Sequence, residues 1–405
     1  MQYRKQPRRL PEKILDSAVR ALIKWNTSSL TLDECINDIR NEKSAVSILF
    51  LYFRHKSAID RMIRNAAAKG AVKQPLFEIA ACAITQILFQ NGISPESAVY
   101  VAVDYTKGIN PRLGGFMNAL LRNVHRSTEK IPSTADFPIF IRERWTRQFG
   151  KDAAEHSIEA CGINPPVSFR LRGPGDPPDG AERINCIPNF RFYFHNKASA
   201  ILESEAFQKG KCYIQDPATG LSVSLCGELP EHAEILDVCA APGGKTVMLS
   251  DKYPDAVITA ADKSEKRLKL LQENMQRLNL SVKTVCSDAL AHNFEPESFD
   301  LVFADVPCSN TGVFRRRPDA AWRFSEERLN DTVILQSRIL DSLAPVVKRG
   351  GLLLYSTCSI EPEEDESQIC NFLKTHPEFI LEQSERILPD FLHDGAFAAR
   401  LRKNH

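Results

Sequence analysis

The spacing of apolar residues predicts helices in the first third of the chain. A spacing of four, four and three residues places Ile14, Ala18, Leu22 and Trp25 on one face of a helix. The segment IAACAITQILF at 79–89 is apolar on all sides and predicts a buried helix, and NPRLGGFMNALLRNV at 110–124 predicts a loop followed by a helix. We therefore expect residues 1–130 to form an all-helical domain.

Short apolar runs alternate with amphipathic segments from residue 231 onward. The runs predict strands at 234–240, 256–262, 282–288, 299–306 and 351–357. A helix at 264–279 has Ser264 as its N-cap, and another after Pro362 opens with the acidic residues 363–366, which suit the positive end of a helix dipole. This alternation is typical of an α/β, doubly wound, Rossmann-like domain, here 231–405, that binds ligands at the carboxyl ends of its strands.

The stretch between these two regions has a weaker pattern. A helix is predicted for RERWTRQFG at 142–150, a surface loop for GPGDPPDG at 173–180 and a strand for FRFYFH at 190–195. We expect residues 131–230 to form a small α+β connector.

The composition is that of a globular protein. Of the 405 residues, 43% are apolar and 25% are charged, which excludes disorder, collagen and coiled coil. The chain has no run of about 18 apolar residues and begins with charges rather than a signal-peptide core, so we expect a cytoplasmic protein with no membrane contact. None of the 11 cysteines is spaced C-x-x-C, which disfavours a disulfide framework and structural zinc. We expect no bound metal and, by default, a monomer.

Positive charge is concentrated in the predicted helical domain. Residues 1–130 contain 20 Lys and Arg but 11 Asp and Glu, although the whole chain has a net charge of +1. A basic helical domain favours nucleic-acid binding, and Arg122 and Arg126 on its last predicted helix are candidate contacts. The alternative is a charged face that only keeps the protein soluble.

The segment ILDVCAAPGGKT at 235–246 predicts a strand, a turn of small residues and a helix start. Gly243 and Gly244 allow a ligand to approach the backbone closely. A phosphate-binding P-loop would need glycine where Cys239 stands, and the G-x-G-x-x-G motif of NAD sites is absent. Asp262 and Asp288 close the next two strands, where acidic side chains can bind ribose hydroxyls and an adenine edge. The set favours S-adenosylmethionine, with helix capping as the alternative role of each aspartate.

Two further motifs, ADVPCSNTG at 304–312 and YSTCS at 355–359, place Cys308 and Cys358 at neighbouring strand ends. A thiol is required to methylate carbon 5 of a pyrimidine, because that carbon becomes nucleophilic only after a thiolate adds to carbon 6. Asp305 can hydrogen-bond the edge of the base. The alternative for each cysteine is an inert buried thiol.

An arginine cluster follows the first of these motifs. Arg315, Arg316 and Arg317 in FRRRPDAAWRF can hold the phosphates around an unstacked nucleotide. The alternative is that part of the cluster pairs with Asp319 or other acids within the fold.

The motifs DVCAAPGGKT, ADVPCSNTGV and LLYSTCSIEPEEDE resemble those of the RNA cytosine-C5 methyltransferases of the Sun (Fmu, RsmB) type. GFMNALLRNV, in a basic helical region, resembles the NusB-like RNA-binding domain of the bacterial small-subunit rRNA members. The resemblance covers nearly the whole chain and is strongest over 234–375. It implies an S-adenosylmethionine-dependent methyltransferase domain, a NusB-like domain over 1–130 and 16S rRNA as the partner.

The resemblance also implies roles for single residues. Asp262 would hold the ribose, Asp288 would lie by the adenine, and Asp305 would touch both cofactor and base. Cys358 would be the nucleophile, and Cys308 would assist breakdown of the covalent adduct. The methionine part of the cofactor would be wrapped by Cys239, Ala240, Ala241, Pro242, Gly243, Gly244 and Lys245.

Two other functions compete with rRNA methylation. A tRNA substrate is the rival within the enzyme class, and a noncatalytic RNA-binding assembly factor is the rival outside it, although a scaffold has no use for two thiols at one site. The chain also departs from the family in DGAFAARLRKNH at 394–405, where Ala396 and Ala398 replace aromatic residues. This replacement predicts weaker packing at the edge of the sheet.

Overall fold

The computed structural model describes residues 10–67, 71–126 and 136–404. The chain forms two compact units. The first extends to Ile163 and includes Arg317–Arg323, and the second comprises Asn164–Arg316 and Phe324–His405. The predicted boundary at residue 130 lies outside the described residues, and the predicted connector is divided between the two units. The three-domain division stays a prediction.

The first unit is helical, as predicted. Its helices are α1 Leu10–Thr27, α2 Leu32–Cys35, α3 Lys43–Arg54, α4 Lys56–Ala66, α5 Leu76–Phe89, α6 Pro95–Ile109, α7 Gly114–Arg126, α8 Ile139–Phe149 and α9 Lys151–Gly162. The apolar segment at 79–89 lies in α5, whose residues from Glu78 to Gln86 are all buried. Helices α1, α3, α4, α6 and α7 contact α5, which makes it the centre of the unit.

The segment Arg317–Arg323 ends in the short helix α15, Ala320–Arg323, and packs among these helices. The buried carboxylate of Asp319 accepts hydrogen bonds from Trp25 Nε1 (3.2 Å) and from the backbone N–H of Leu32 (2.9 Å). Trp322 Nε1 donates to the carbonyl oxygen of Phe53 (2.8 Å), and the Arg323 guanidinium lies 4.2 Å from the Trp25 ring centroid. Seven residues distant in sequence therefore complete the helical unit.

The second unit begins with an antiparallel sheet of order β2-β3-β1-β4. Its strands are β1 Val167–Leu171, β2 Glu182–Ile184, β3 Arg191–His195 and β4 Cys212–Ile214. The predicted strand at 190–195 is β3, and the Gly- and Pro-rich segment at 173–180 is the loop between β1 and β2. Three short helices complete this part: α10 Ala198–Leu202, α11 Glu205–Gln208 and α12 Gly220–Leu225.

A seven-stranded sheet of order β10-β11-β9-β8-β5-β6-β7 follows. Its strands are β5 Glu234–Val238, β6 Val257–Asp262, β7 Lys283–Cys286, β8 Phe299–Asp305, β9 Val347–Thr357, β10 Phe379–Ile387 and β11 Ala396–Lys403. The helices of this part are α13 Gly244–Lys252, α14 Glu265–Arg277, α16 Glu326–Leu343 and α17 Glu366–Thr375. Strands β5 to β9 pair in parallel, which confirms the doubly wound α/β fold.

Neighbouring residues of the central strands enter opposite cores. Leu236 and Val302 pack with residues of α16 and α17, whereas Ile235 and Leu301 pack with residues of α12 and α13. This arrangement explains the continuous apolar runs in the sequence, because both faces of the sheet are covered. The predicted N-cap is also present, since Ser264 Oγ accepts from the N–H of Arg267 at 3.3 Å.

The prediction for the C-terminal strand is wrong. Strand β11 lies between β9 and β10, not at the edge, and pairs antiparallel with both. Ala396 and Ala398 are 9% and 0% exposed, so small side chains fill an enclosed part of the core. In the described part of the chain, none of the helices is long and apolar enough to span a membrane.

Candidate active site

The turn after β5 carries the residues predicted to bind a cofactor. Cys239 and Gly243 both have positive φ angles, +61° and +102°. A Cβ atom at Gly243 would lie 3.0 Å from Leu271 Cγ, so both the backbone conformation and the packing require glycine there. Burial raises the pKa of the Cys239 thiol to about 12, which keeps this thiol neutral.

The start of helix α13, which follows the turn after β5, contacts the ends of β8 and β9. Lys245 Nζ forms an ion pair with Asp305 at the end of β8 and lies 3.3 Å from Ser356 Oγ in β9. Ser356 Oγ also donates to Asp305 at 2.9 Å. Beside it, the Thr246 hydroxyl donates to the fully buried Asp237, and burial raises the pKa of that carboxyl to about 7.

The two aspartates predicted to bind adenosine have different environments. Asp262 is 2% exposed; it accepts the N–H groups of Ser264 at 2.9 Å and Ala241 at 3.3 Å, and Arg267 lies 3.3 Å away. Asp262 therefore ties the cofactor turn to the end of β6. Asp288 is exposed and accepts the N–H of Leu290 at 2.9 Å. Neither aspartate caps a helix, which was the alternative interpretation, because Ser264 is the N-cap of α14 and no helix follows Asp288 before β8.

These acidic side chains fit S-adenosylmethionine. Four aspartates, Asp237, Asp262, Asp288 and Asp305, lie at or near the carboxyl ends of four neighbouring strands. One oxygen of the buried Asp237 carboxylate has no hydrogen-bond partner within the described residues. Carboxylates suit a ligand with a positive charge and ribose hydroxyls, whereas they oppose a pyrophosphate.

The two predicted reactive thiols lie together. Cys308 Sγ and Cys358 Sγ are 3.1 Å apart, and Cys358 Sγ donates to Asn310 Oδ1 at 3.3 Å. Asn310, at a φ of +62°, donates its side-chain N–H back to the carbonyl oxygen of Cys308 at 2.9 Å. The hydrogen bond with Cys358 and burial both raise the pKa of the Cys308 thiol.

The loops that carry these thiols are joined through their backbones. The N–H of Gly312 donates to the carbonyl oxygen of Cys358 at 3.0 Å, and the N–H of Gly395 donates to that of Gly312 at 2.8 Å. A Cβ atom at Gly312 would lie 2.7 Å from the Cys358 oxygen and 2.6 Å from the Gly395 oxygen. Gly312 is therefore required by close backbone approach.

The acidic run after Cys358 differs from the prediction. Helix α17 begins at Glu366, and the preceding Glu364 and Asp365 are 0% exposed. Glu364 accepts hydrogen bonds from Ser309 and Gln336, and Asp365 accepts one from Thr357 Oγ1 at 2.8 Å. An acidic run just before a predicted helix is typical of a helix terminus, whereas the burial of Glu364 and Asp365 depends on partners that are distant in sequence. Their only sequence signal was their position directly after the second cysteine motif.

Two of the three arginines after the first cysteine motif form ion pairs with aspartates of the same unit. Arg315 is 1% exposed and lies 3.2 Å from Asp394, while Arg316 pairs with Asp216 at 2.6 Å and Asp394 at 2.7 Å. The prediction that Arg315 holds an RNA phosphate is wrong, because its guanidinium group is buried beside Asp394. The side chain of Arg316 is 33% exposed, so its RNA contact stays a prediction. Arg317 is exposed and lies 3.8 Å from Asp33.

The two basic residues predicted on the last helix of the helical domain are exposed on α7. Arg122 and Arg126 line a cleft of about 550 Å³ between α6 and α7. Its other charged residues are Glu96, Asp104, Lys107 and His125, and its aromatic residue is Tyr100, which is 61% exposed.

Comparison with known proteins identifies the family. A model described as 16S rRNA methyltransferase RsmB/F matches residues 225–398, and a NusB family model matches residues 13–126. The ribosomal RNA small subunit methyltransferase B of Vibrio vulnificus is 33% identical over 328 residues, which cover 75% of this chain and 76% of that protein. The chain belongs to the RsmB/F family. It is an RNA cytosine-C5 methyltransferase that uses S-adenosylmethionine.

Solved structures agree with the fold of this RsmB/F member. The crystal structure of PH0851 has a TM-score of 0.77 at 23% identity and covers 99% of this chain and 100% of its own. A methyltransferase homologue from Pyrococcus horikoshii has a TM-score of 0.55 at 26% identity, covering 64% of this chain and 93% of its own.

Proposed function

We propose that this RsmB/F member methylates carbon 5 of a cytosine in small-subunit rRNA through a covalent bond between Cys358 and carbon 6 of the base. The observation that carries the proposal is the 3.1 Å separation of the Cys308 and Cys358 sulfur atoms. Methyl transfer to an exocyclic nitrogen needs no thiol, whereas transfer to carbon 5 needs one that adds to carbon 6.

The two thiols have different roles in the reaction. The Cys358 thiolate forms the S–C6 bond, and the electron pair of the C5=C6 bond moves to carbon 5, which then takes up the methyl group. A base next removes the remaining proton from carbon 5. The electron pair of that C–H bond restores C5=C6 while the S–C6 bond breaks, and Cys358 leaves as a thiolate. Cys308 assists this elimination, the role that the family resemblance gives it.

The environment of the thiols supports this division. Cys308 has a raised pKa, caused by its hydrogen bond with Cys358 and by burial, so it keeps its proton at neutral pH. A protonated Cys308 can donate to Cys358 across the 3.1 Å gap and stabilise a negative charge on that sulfur. We therefore assign the attack on carbon 6 to Cys358.

Asp305 is our candidate for the contact with the base. Its side chain is 32% exposed and is oriented by Lys245 and Ser356. We assign to Asp305 a hydrogen bond with the N3/N4 edge of the cytosine. When bound, S-adenosylmethionine supplies the methyl group, and it would be held by Cys239–Lys245, Asp262, Asp288 and Asp305.

The cleft between α6 and α7 is the proposed rRNA contact of the helical unit. Arg122 and Arg126 offer guanidinium groups to phosphates, and the exposed ring of Tyr100 offers a stacking surface to an unpaired base. The matching NusB family model supports this assignment. An rRNA substrate places the enzyme in the cytoplasm, and we expect it to act as a monomer.

The substrate is tested by methyl transfer from labelled S-adenosylmethionine to naked 16S rRNA and to total tRNA in parallel, followed by bisulfite sequencing. We expect one newly protected cytosine in the rRNA and no label in the tRNA. Label confined to tRNA would overturn the rRNA assignment while keeping the chemistry. If neither RNA is labelled, partly assembled small-subunit particles are the decisive substrate, and a failure there as well would contradict the proposal.

A further inference from the structure

The residues that follow the two cysteines are bonded to each other. Ser309, after Cys308, and Ser359, after Cys358, have hydroxyl oxygens 3.2 Å apart. Ser359 is 0% exposed, and its oxygen also lies 3.1 Å from Thr311 Oγ1. A short chain of three hydroxyl groups, of which those of Thr311 and Ser359 are buried, therefore joins the residues next to the two thiols.

Glu364 anchors this chain. Its carboxylate accepts the backbone N–H of Ser309 at 2.8 Å with one oxygen and the Ser309 hydroxyl with the other. Gln336, fully buried in α16, donates its side-chain N–H both to Glu364 and to the carbonyl oxygen of Pro307, each at 2.9 Å. The residues on either side of Cys308 are thus fixed by one pair of buried side chains.

This arrangement sets the position of one sulfur relative to the other. The Glu364 carboxylate comes from the loop after Cys358, and it holds the loop of Cys308 by two hydrogen bonds to one residue. Hydrogen bonds to a buried carboxylate are strong and directional. The second connection, through Ser359, joins the same two loops closer to the sulfur atoms.

We propose that Glu364, acting through Ser309 and Ser359, is a positioning residue that fixes the separation of the Cys308 and Cys358 thiols. The proposed chemistry requires a fixed separation, because Cys308 assists the release of the Cys358 sulfur from carbon 6 only while it stays within hydrogen-bond distance of that sulfur. A small displacement of one thiol impairs the elimination more than the addition, since elimination needs both. The inference rests on the proposed roles of the two cysteines.

The separation can be measured without RNA. In a glutathione redox buffer, the two thiols lose two protons and two electrons to oxidised glutathione, which becomes two glutathione thiols, and a Cys308–Cys358 disulfide forms. The equilibrium constant reports how closely the two sulfurs are held. Glu364→Gln replaces an acceptor of Ser309 by an amide, and Ser359→Ala removes the link between the loops.

We expect the equilibrium constant to fall about tenfold in Glu364→Gln and less in Ser359→Ala, as for the loss of hydrogen bonds to a charged group. With rRNA, Glu364→Gln should accumulate the covalent adduct and release methylated product more slowly. The control is Asp300→Asn, the same change at the other end of β8, where Asp300 binds Lys348 at 2.7 Å. Its equilibrium constant and adduct level should equal those of the wild type.

The affinity for S-adenosylmethionine and the urea midpoint identify a variant that has simply unfolded, and Ser359→Ala then serves as the gentler change. Equal equilibrium constants in wild type and both folded variants would overturn the positioning role, as would a wild type that forms no disulfide. A normal redox response without any RNA adduct would leave the positioning role in place and reject the proposed function of the cysteines.

Discussion

The three consecutive arginines after the first cysteine motif show how strongly one residue's environment decides its role. Arg315 is enclosed beside Asp394, Arg316 bridges Asp216 and Asp394, and Arg317 is exposed. Burial, together with the charge of Asp216, raises the pKa of Asp394 to about 7 even though the two arginines oppose this shift. Arg315 and Arg316 therefore stabilise the loop that follows Cys308, and Arg122, Arg126 and the exposed Arg317 remain the proposed RNA contacts.

Two variants separate a structural arginine from an RNA-binding one. Arg315→Met should lower the free energy of unfolding by about 3 kcal/mol, because it leaves buried carboxylates with less compensation, while the salt dependence of RNA binding stays unchanged. The double variant Arg122→Glu with Arg126→Glu should leave the urea midpoint unchanged and weaken RNA binding roughly tenfold or more. The slope of log binding constant against log salt concentration should be smaller in magnitude by about two than in the wild type. Urea unfolding and fluorescence anisotropy at several salt concentrations measure both quantities. A reversed pattern would return the RNA contact to Arg315.

At the scale of elements, the site depends on where chain segments end. Strands β5, β6, β8 and β9 each have a candidate site residue at or just after the carboxyl end, as expected for a parallel sheet. The segment Arg317–Arg323 is the exception to sequential packing, because it leaves the sheet unit after Arg316 and completes the helical unit. Its contacts through Asp319 and Trp322 bury Trp25 and fix the start of α2.

Removing the Trp322 side chain tests whether the helical unit depends on the segment Arg317–Arg323 for its stability. Trp322→Ala loses the hydrogen bond to Phe53 and the ring beside Lys56, and we expect a loss of about 3 kcal/mol in the helical unit. Hydrogen exchange should become faster at amides of α1 and α3 and remain unchanged in β5 and β8. The exposed Tyr100→Ala serves as the control and should change neither. Unchanged exchange in α1 and α3 of Trp322→Ala would mean that the segment contributes little.

Across the whole molecule, the sequence predicts the helices and strands whose apolar residues recur at a regular spacing. It does not predict features that depend on contacts between residues far apart in the chain. Apolar periodicity is local, so α1, α5 and the parallel strands follow from it directly. The convergence of Cys308 and Cys358 was also predictable, because parallel strands end at one side of the sheet. The inward orientation of Glu364, the burial of Arg315 and the position of β11 between β9 and β10 were not, since each depends on partners that are far away in sequence.

In the proposed mechanism, one thiol forms the bond to cytosine and the other helps to break it. An experiment that tests this division mixes 16S rRNA and S-adenosylmethionine with each of three variants, and measures methyl transfer together with RNA–protein complexes that survive denaturing electrophoresis. Cys358→Ala should give neither methylation nor complex, Cys308→Ala should give a complex that persists, and Cys370→Ala, at an exposed cysteine of α17, should behave as wild type. A persistent complex in Cys358→Ala, with none in Cys308→Ala, would contradict the account and exchange the two roles.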